Sequence, residues 1–325
     1  FRHTEIRPID NPYDSDNMNI APRIGFSFNP DGESKNVIRG GLSTMFTNLA
    51  GETVTQTVQN SVVDPFRSQF SRAEALQLNL RYPEYNEDVL KLVSGGASGG
   101  SPRVLDPKLK AAYAFNLYFG YQREISRSLA LETAYAGNRG VKWHTARNAN
   151  EVNPLTGIRP NPLFARMDYW DNSDSTWYHS WQTSLRYRLS RKLTANFHHT
   201  WSKALSFGAG DVGWTSTNTP NFYDLRSNRG LADGSLLHVV NVNAVYELPG
   251  LTGMTPVVRH ALGGWQVSTI FTAQTGSPIN LSHRTGIGGT RPDYVGGAPI
   301  LDNYRDTLVY LNRDAFARVP ENSLG

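Results

Sequence analysis

From Tyr178 to Leu205 the chain reads YHSWQTSLRYRLSRKLTANFHHTWSKAL, and bulky or apolar side chains fall at every second position. His179, Trp181, Thr183, Leu185, Tyr187 and Leu189 share one parity, opposed by Ser180, Gln182, Ser184, Arg186 and Arg188. After the polar link Ser190-Arg191-Lys192, the set Leu193, Ala195, Phe197, His199 and Trp201 repeats the pattern against Thr194, Asn196, His198, Thr200 and Ser202. Successive side chains leave a strand on opposite faces, so strict alternation predicts two strands, and the short link predicts a hairpin. Each run is about eleven residues, close to the ~9–11 that a tilted strand needs to cross a bilayer and longer than the ~5–6 usual in soluble sheets. The pattern therefore favours a membrane barrel, apolar towards lipid and polar towards a wet lumen, over a soluble sandwich.

The same alternation recurs along the chain. Ile24, Phe26 and Phe28 share a face before the turn Asn29-Pro30-Asp31-Gly32, and Ile38, Leu42 and Phe46 return. Tyr113, Phe115, Leu117, Phe119 and Tyr121 precede a turn at Ser126-Arg127-Ser128 and are matched by Leu129, Leu131, Thr133 and Tyr135. Val240, Val242, Ala244, Tyr246 and Leu248 lead to the Pro249-Gly250 break, after which Trp265, Val267, Thr269, Phe271 and Ala273 follow. The reading is all-β: an antiparallel transmembrane β-barrel of which this chain supplies about eight strands in four hairpins. Between hairpins, the links at about 47–111, 139–177 and 204–237, and the segment 276–325, are long and rich in Gly, Asn, Asp and Pro. Compact soluble domains seldom hold structureless loops beyond about 12–15 residues, whereas outer-membrane barrels alternate short periplasmic turns with long extracellular loops. Only the longer 249–263 link departs from that alternation. The whole of 1–325 reads as partial barrel, with no plug domain.

Face assignment names two sets of candidate residues. Gln122, Glu132, Gln182, Arg186, Arg188, Asn196, Asn241, Asn243 and Gln266, with Asn116 and Glu247, have the lumen parity. Tyr121, Tyr135, Tyr187, Trp201, Tyr246 and Trp265, together with Tyr178, stand near strand ends, where aromatic girdles meet the two lipid interfaces.

Composition agrees with a two-faced wall. Only 39% of the 325 residues are hydrophobic and the mean hydropathy is −0.44, as expected where half of each strand is polar. No apolar run approaches the ~18 residues of a transmembrane helix. The formal charge of +4 is spread along the sequence, which argues against a nucleic-acid footprint. Cysteine is absent, so disulfides and thiolate metal sites are excluded. The chain opens at Phe1 without a basic-then-apolar leader and closes at Gly325 without a terminal aromatic strand, so it is expected to be a piece of a longer protein.

Catalytic and metal motifs are sparse. Gly96-Ala97-Ser98-Gly99-Gly100 fits G-x-S-x-G formally, but that motif needs a strand-to-helix elbow and here lies in a Gly/Ser run. His198 and His199 fall on opposite faces and cannot share a metal. Asp168, Asp171 and Asp174 in MDYWDNSDSTW offer oxygen ligands for a cation, although a solvated loop explains them better. Asp224, beside Arg226 and Arg229, suggests a loop held by an ion pair. No enzyme and no cofactor are expected.

Five blocks also resemble a known family: APRIGFSFNPDGESKNVIRGGLSTMF, FNLYFGYQREISRSLALETAYAGNRG, YHSWQTSLRYRLSRKLTANFHHTWSKAL, NRGLADGSLLHVVNVNAVYELP and GGWQVSTIFTAQTGSPINL. In this order they resemble the barrel of TonB-dependent receptors of the Oar-like type, whose chains carry a carboxypeptidase-regulatory-like domain and a plug. The resemblance covers about residues 19–318. It implies a 22-stranded outer-membrane barrel, a plug in the lumen, and substrate uptake energised by a TonB-type protein; plug, TonB box and closing strand are not recognisable in this sequence. A structural or adhesive surface barrel is the alternative.

Overall fold

A computed structural model describes residues 14–47, 103–207 and 223–320, apart from short gaps at 34, 154, 163, 165, 191, 249–252, 254, 259–263, 282 and 286–287. The expected wall is present. Its strands are β1 (Arg23–Phe28), β2 (Asn36–Thr47), β4 (Ala112–Ser126), β5 (Leu129–Asn148), β6 (Asp168–Ser190), β7 (Leu193–Ser206), β9 (His238–Glu247) and β10 (Gln266–Gln274). They lie side by side in chain order, each antiparallel to the next. Two short strands complete the ten-stranded sheet: β3 (Arg103–Leu105) runs parallel to the start of β6, and β8 (Gly230–Leu231) pairs with the end of β7. Among the described residues β1 and β10 are the two edges, so the sheet is an open arc. No described helix is long and apolar enough to cross a membrane.

Local chemistry explains the tight hairpins. Gly32 takes φ 66°, a left-handed conformation suited to glycine. The Asp31 carboxylate before it accepts hydrogen bonds from the Asn36 backbone N–H (3.2 Å) and side-chain amide (2.8 Å). Opposite Phe26, Gly40 leaves room for the ring; a Cβ at Gly40 would overlap it.

Two strands exceed the expected length. The connection read as 139–177 shrinks to 149–167, because β5 runs on to Asn148 and β6 starts at Asp168. Polar residues form strand here because side-chain partners replace alternation, as the next section shows. Of the connection read as 47–111, residues 48–102, including the Gly96–Gly100 motif, lie outside the described residues; 103–105 form β3. The connection read as 204–237 begins at 207 and contains a short 3-10 turn at Leu225–Asn228 and then β8. Within 276–325 there are two further small sheets, β11 (His283–Thr285) with β12 (Gly288–Thr290) and β13 (Asp293–Tyr294) with β14 (Phe316–Ala317).

Apart from Ala112 and Ala134, the buried hydrophobic residues lie outside the regular wall. The hydrophobic cluster of Leu105, Ala146 and Trp170, and the buried Leu109, Val152, Phe164 and Met167, belong to the far half of the β5–β6 hairpin and the segments packed on it.

Candidate functional site

Register sorts the wall's side chains into two faces, because residues paired across antiparallel strands point the same way. One rung reads Gln122, Glu132, Ser184, His198, Asn241, Thr272. The next reads Arg186, Asn196, Asn243, and Glu247 pairs with Gln266. Gln182 and Arg188 have the same parity, so all nine predicted polar residues share one face. Short side chains there bridge strands: the Asn196 amide donates to Asn243 Oδ1 (2.8 Å), Thr272 Oγ1 to Asn241 Oδ1 (2.9 Å), and Asn138 to Asn116 Oδ1 (2.6 Å). Ser184 and His198 join at 2.9 Å. Tyr118 donates to Glu132 Oε1 at 3.3 Å. A shallow cleft of about 260 Å³ on this face is lined by Arg39, Gln122, Glu132, Arg186, Asn196 and His198. These groups can hold water or a polar occupant.

The opposite face is apolar and uncovered. Ile24 is 74% exposed, Phe26 56%, Leu42 61% and Phe271 54%. Continuous apolar area beyond a few hundred Å² is rare on a surface meant for water. Tyr121, Tyr135, Tyr187, Trp201, Tyr246 and Trp265 have this parity. Tyr178 does not: it pairs with Asn138, on the polar face, because an even number places it opposite Trp177 and His179. Strand histidines on the apolar face are paired and not isolated. Tyr135 joins His179 at 2.6 Å, and His199 meets His238 at 3.1 Å with rings stacked 5.3 Å apart.

Aromatics at the short-turn ends drift against the rungs. A row of paired residues from Tyr121 passes Thr133, Thr183, His199 and Val240 to Ala273, five strand steps away. The aromatic at the short-turn end of that last strand is Trp265, eight residues before Ala273.

Beyond Arg139 the β5–β6 hairpin builds a polar cluster that alternation does not reveal. Register breaks twice, at Gly140/Trp143 and Trp143/Thr145, and Lys142 takes φ 55°. Each aspartate of the suggested cation set has its own task. Asp168 faces Arg166 (2.5 Å) and Arg103 (3.7 Å), Asp171 pairs with Arg147, and Asp174 accepts the Phe207 backbone N–H at 3.1 Å. Among the described residues no group of three metal-ligating side chains comes together, and arginines pair with Asp168 and Asp171. Asn150, fully buried, donates to the carbonyls of Asn161 (2.8 Å) and Phe164 and accepts the Asn161 N–H at 2.7 Å. Burial pushes the His144 imidazole below its ordinary range although the Lys110 carbonyl lies 2.9 Å away. Burial raises the Glu151 carboxyl, partly offset by its Asn148 partner. The Tyr169 phenol is pushed up to about 12, by burial and by Asp106 beside it. Asp224 accepts the Arg226 backbone N–H at 3.0 Å and so caps the 3-10 turn.

A family model described as "Outer membrane beta barrel domain" matches residues 4–325. The chain belongs to that family. This outer-membrane barrel chain accordingly resides in the cell outer membrane, and the open antiparallel arc is a portion of a barrel wall. Among curated proteins no match is found. Solved structures similar to the barrel chain include the outer membrane transporter YddB from Escherichia coli, at 12% identity and TM-score 0.46, covering 79% of this chain and 33% of that one. Others are the FrpB iron transporter from Neisseria meningitidis (F3-3 variant), at 14% identity, TM-score 0.36 and coverage of 72% and 25%, and the siderophore receptor PiuA from Acinetobacter baumannii, at 10%, 0.35 and coverage of 70% and 24%. The barrel chain thus spans a quarter to a third of the length of these structures.

Proposed function

We propose that this chain is the wall segment of a TonB-dependent, Oar-like receptor that takes up a substrate across the outer membrane. The observation that carries the reading is the two-faced wall. A polar face of amides, Arg186, Arg188 and Glu132 suits a wide wet lumen holding a plug, and would be costly to pack in a narrow barrel where side chains fill the interior. The rung Gly25, Gly41, Tyr118, Ala136, Ser180, Ser202 is mostly of small side chains and leaves space for such an occupant. The apolar face meets lipid, with Tyr121, Tyr187, Tyr246 and Trp265 at one interface and Tyr135 and Trp201 towards the other. Eight residues of drift over five steps, at ~3.3 Å per residue and ~4.8 Å per strand, then inclines the strands by about 48°, near the tilt of outer-membrane barrels. Plug, TonB-type energy-coupling protein and substrate are the partners this reading requires.

Two measurements test it. In the full-length protein, cysteine at Gln182 or Asn196 should cross-link to the plug, and cysteine at Leu185 should not; cross-linking from Leu185 alone overturns the wall assignment. A strain lacking the gene should lose growth on one scarce nutrient, as should a strain lacking the TonB-type protein. Loss of surface attachment with nutrition intact would instead favour an adhesive barrel. For sidedness, an epitope after Gly157, in the exposed turn between β5 and β6, should be detected on intact cells, and one after Lys192 only after permeabilisation.

A further inference from the structure

Where the wall's apolar face ends, its parity continues into a basic cleft. Arg139 and Trp177 are a cross-strand pair, two rungs beyond Tyr135 and Trp181 on the same side of the sheet. The Arg139 guanidinium carbon lies 3.9 Å from the Trp177 ring centroid, and that of Arg229 lies 4.3 Å from it. Phe207 packs its edge against the same indole, at 5.3 Å. The Arg139 side chain is aimed by two bonds to backbone, to the Gly140 carbonyl (3.1 Å) and the Thr176 carbonyl (3.2 Å). Around this pair opens a cleft of about 850 Å³, also lined by Arg226, Arg147 and the hydroxyl-bearing Ser175.

Charge in the cleft is one-sided. Four arginines and a single aspartate are among its lining residues. Arg147 is balanced by Asp171, Asp174 offsets part of the Arg139 charge from outside the lining, and Asp224 accepts a backbone N–H. Two guanidinium groups held against one ring repel each other, and an oxyanion between them would relieve that while matching their planar donor forks. Tryptophan backed by arginine at the edge of an apolar band is also the arrangement that suits the polar headgroup layer of a bilayer.

We infer that the Arg139–Trp177–Arg229 cleft binds the phosphate of an anionic lipid in the outer leaflet. This rests on the proposed lipid-facing side of the wall, since the cleft opens on that side, where headgroups lie and soluble substrate does not pass. The lipid's acyl chains would run down over Trp181 and Leu185, and its phosphate would sit at the arginines.

The full-length receptor in detergent, mixed with phosphatidic acid or with diacylglycerol of the same chains and examined by native mass spectrometry, tests the inference. Phosphatidic acid should be retained about tenfold over diacylglycerol, the scale of one or two charge-assisted hydrogen bonds. The R139Q/R229Q double variant, checked for folding by heat-dependent gel mobility, should lose the preference. R139K/R229K should keep part of it, since lysine retains charge without the planar fork, and this pair decides if the glutamine pair fails to fold. Equal retention of the two lipids by the wild type, or an unchanged preference in both double variants, overturns the site. Displacement of the lipid by inorganic phosphate at equal concentration overturns its lipid source. Labelling of Leu185→Cys and Ser184→Cys by a lipid-soluble maleimide in vesicles separates the two readings. Reaction at Ser184 alone refutes the facing of the wall, whereas reaction at Leu185 with no charged-lipid preference refutes only the headgroup cleft.

Discussion

From Leu129 to Gly140 β5 keeps unbroken register with β6, and the side chains separate into an apolar face and a hydrogen-bonded polar one. From Trp143 to Asn148 the same two strands slip register twice, bury Asp168, Asp171 and Asp174, and close over Leu105, Ala146 and Trp170. The near half depends on its surroundings to cover its apolar side; the far half covers itself. One backbone can thus serve two solvents, with the change falling about where a span of ~9–11 residues ends.

Substitutions should tell the halves apart, the largest effect falling in the wall. Arginine at Leu185 or Phe197 should cost about 2–4 kcal/mol of folding stability in bilayers, and arginine at Ser184 or Asn196 far less. Folding titrations of the full barrel into vesicles measure both, and equal costs would erase the distinction between faces. In the far half, Asn150→Ala leaves the Asn161 and Phe164 carbonyls without their donor and should cost about 1–3 kcal/mol. That loss should appear as faster hydrogen exchange or cleavage within 149–167 while barrel folding is unchanged; simultaneous loss of both would merge the halves into one cooperative unit.

Acidity sharpens the comparison at a smaller scale. His144 has its folded pKa below the unfolded value, so the stability it contributes is fully present above the unfolded pKa of ~6.5 and is lost as pH falls through the folded value. Exchange in the far half, corrected for intrinsic rate, should accelerate between pH 7.5 and 5.5, and H144Q should abolish that response. Glu151 has the opposite sign. Its folded pKa is raised, so its contribution is complete only below the unfolded pKa and is lost as pH rises through the folded one. At pH 7.5 Glu151→Gln should therefore slow exchange slightly, the smallest effect of the series, and a faster rate would show that the carboxylate is favourably held.

The near half was readable from residue types alone because alternation records which face meets which solvent. The eight wall strands lie where alternation put them. Tyr178 misled because proximity to a strand end was weighed above its parity. The far half was unreadable for a physical reason. In DYWDNSDSTW the Asp and Asn residues signal a loop locally, yet Arg103 and Arg147 meet Asp168 and Asp171 from neighbouring strands, 65 and 24 residues away in sequence. The parallel docking of Arg103–Leu105 on β6 likewise has no sequence period. Trp177 gave no signal of its own in the sequence, since its two arginine neighbours come from β5 and from the turn after β7.

The drift of eight residues over five strand steps has an evolutionary consequence. Inserting or deleting one residue within β6 would exchange its faces for the remainder of the strand, turning Arg186 outwards and Leu185 inwards. A change of two would restore the faces and move each side chain about 4–5 Å in depth along an inclined strand. Homologous wall strands should therefore differ in length by even steps, with odd changes absorbed at bulges such as those beyond Gly140 or in the connections, and the phase of hydrophobicity should outlast recognisable sequence identity.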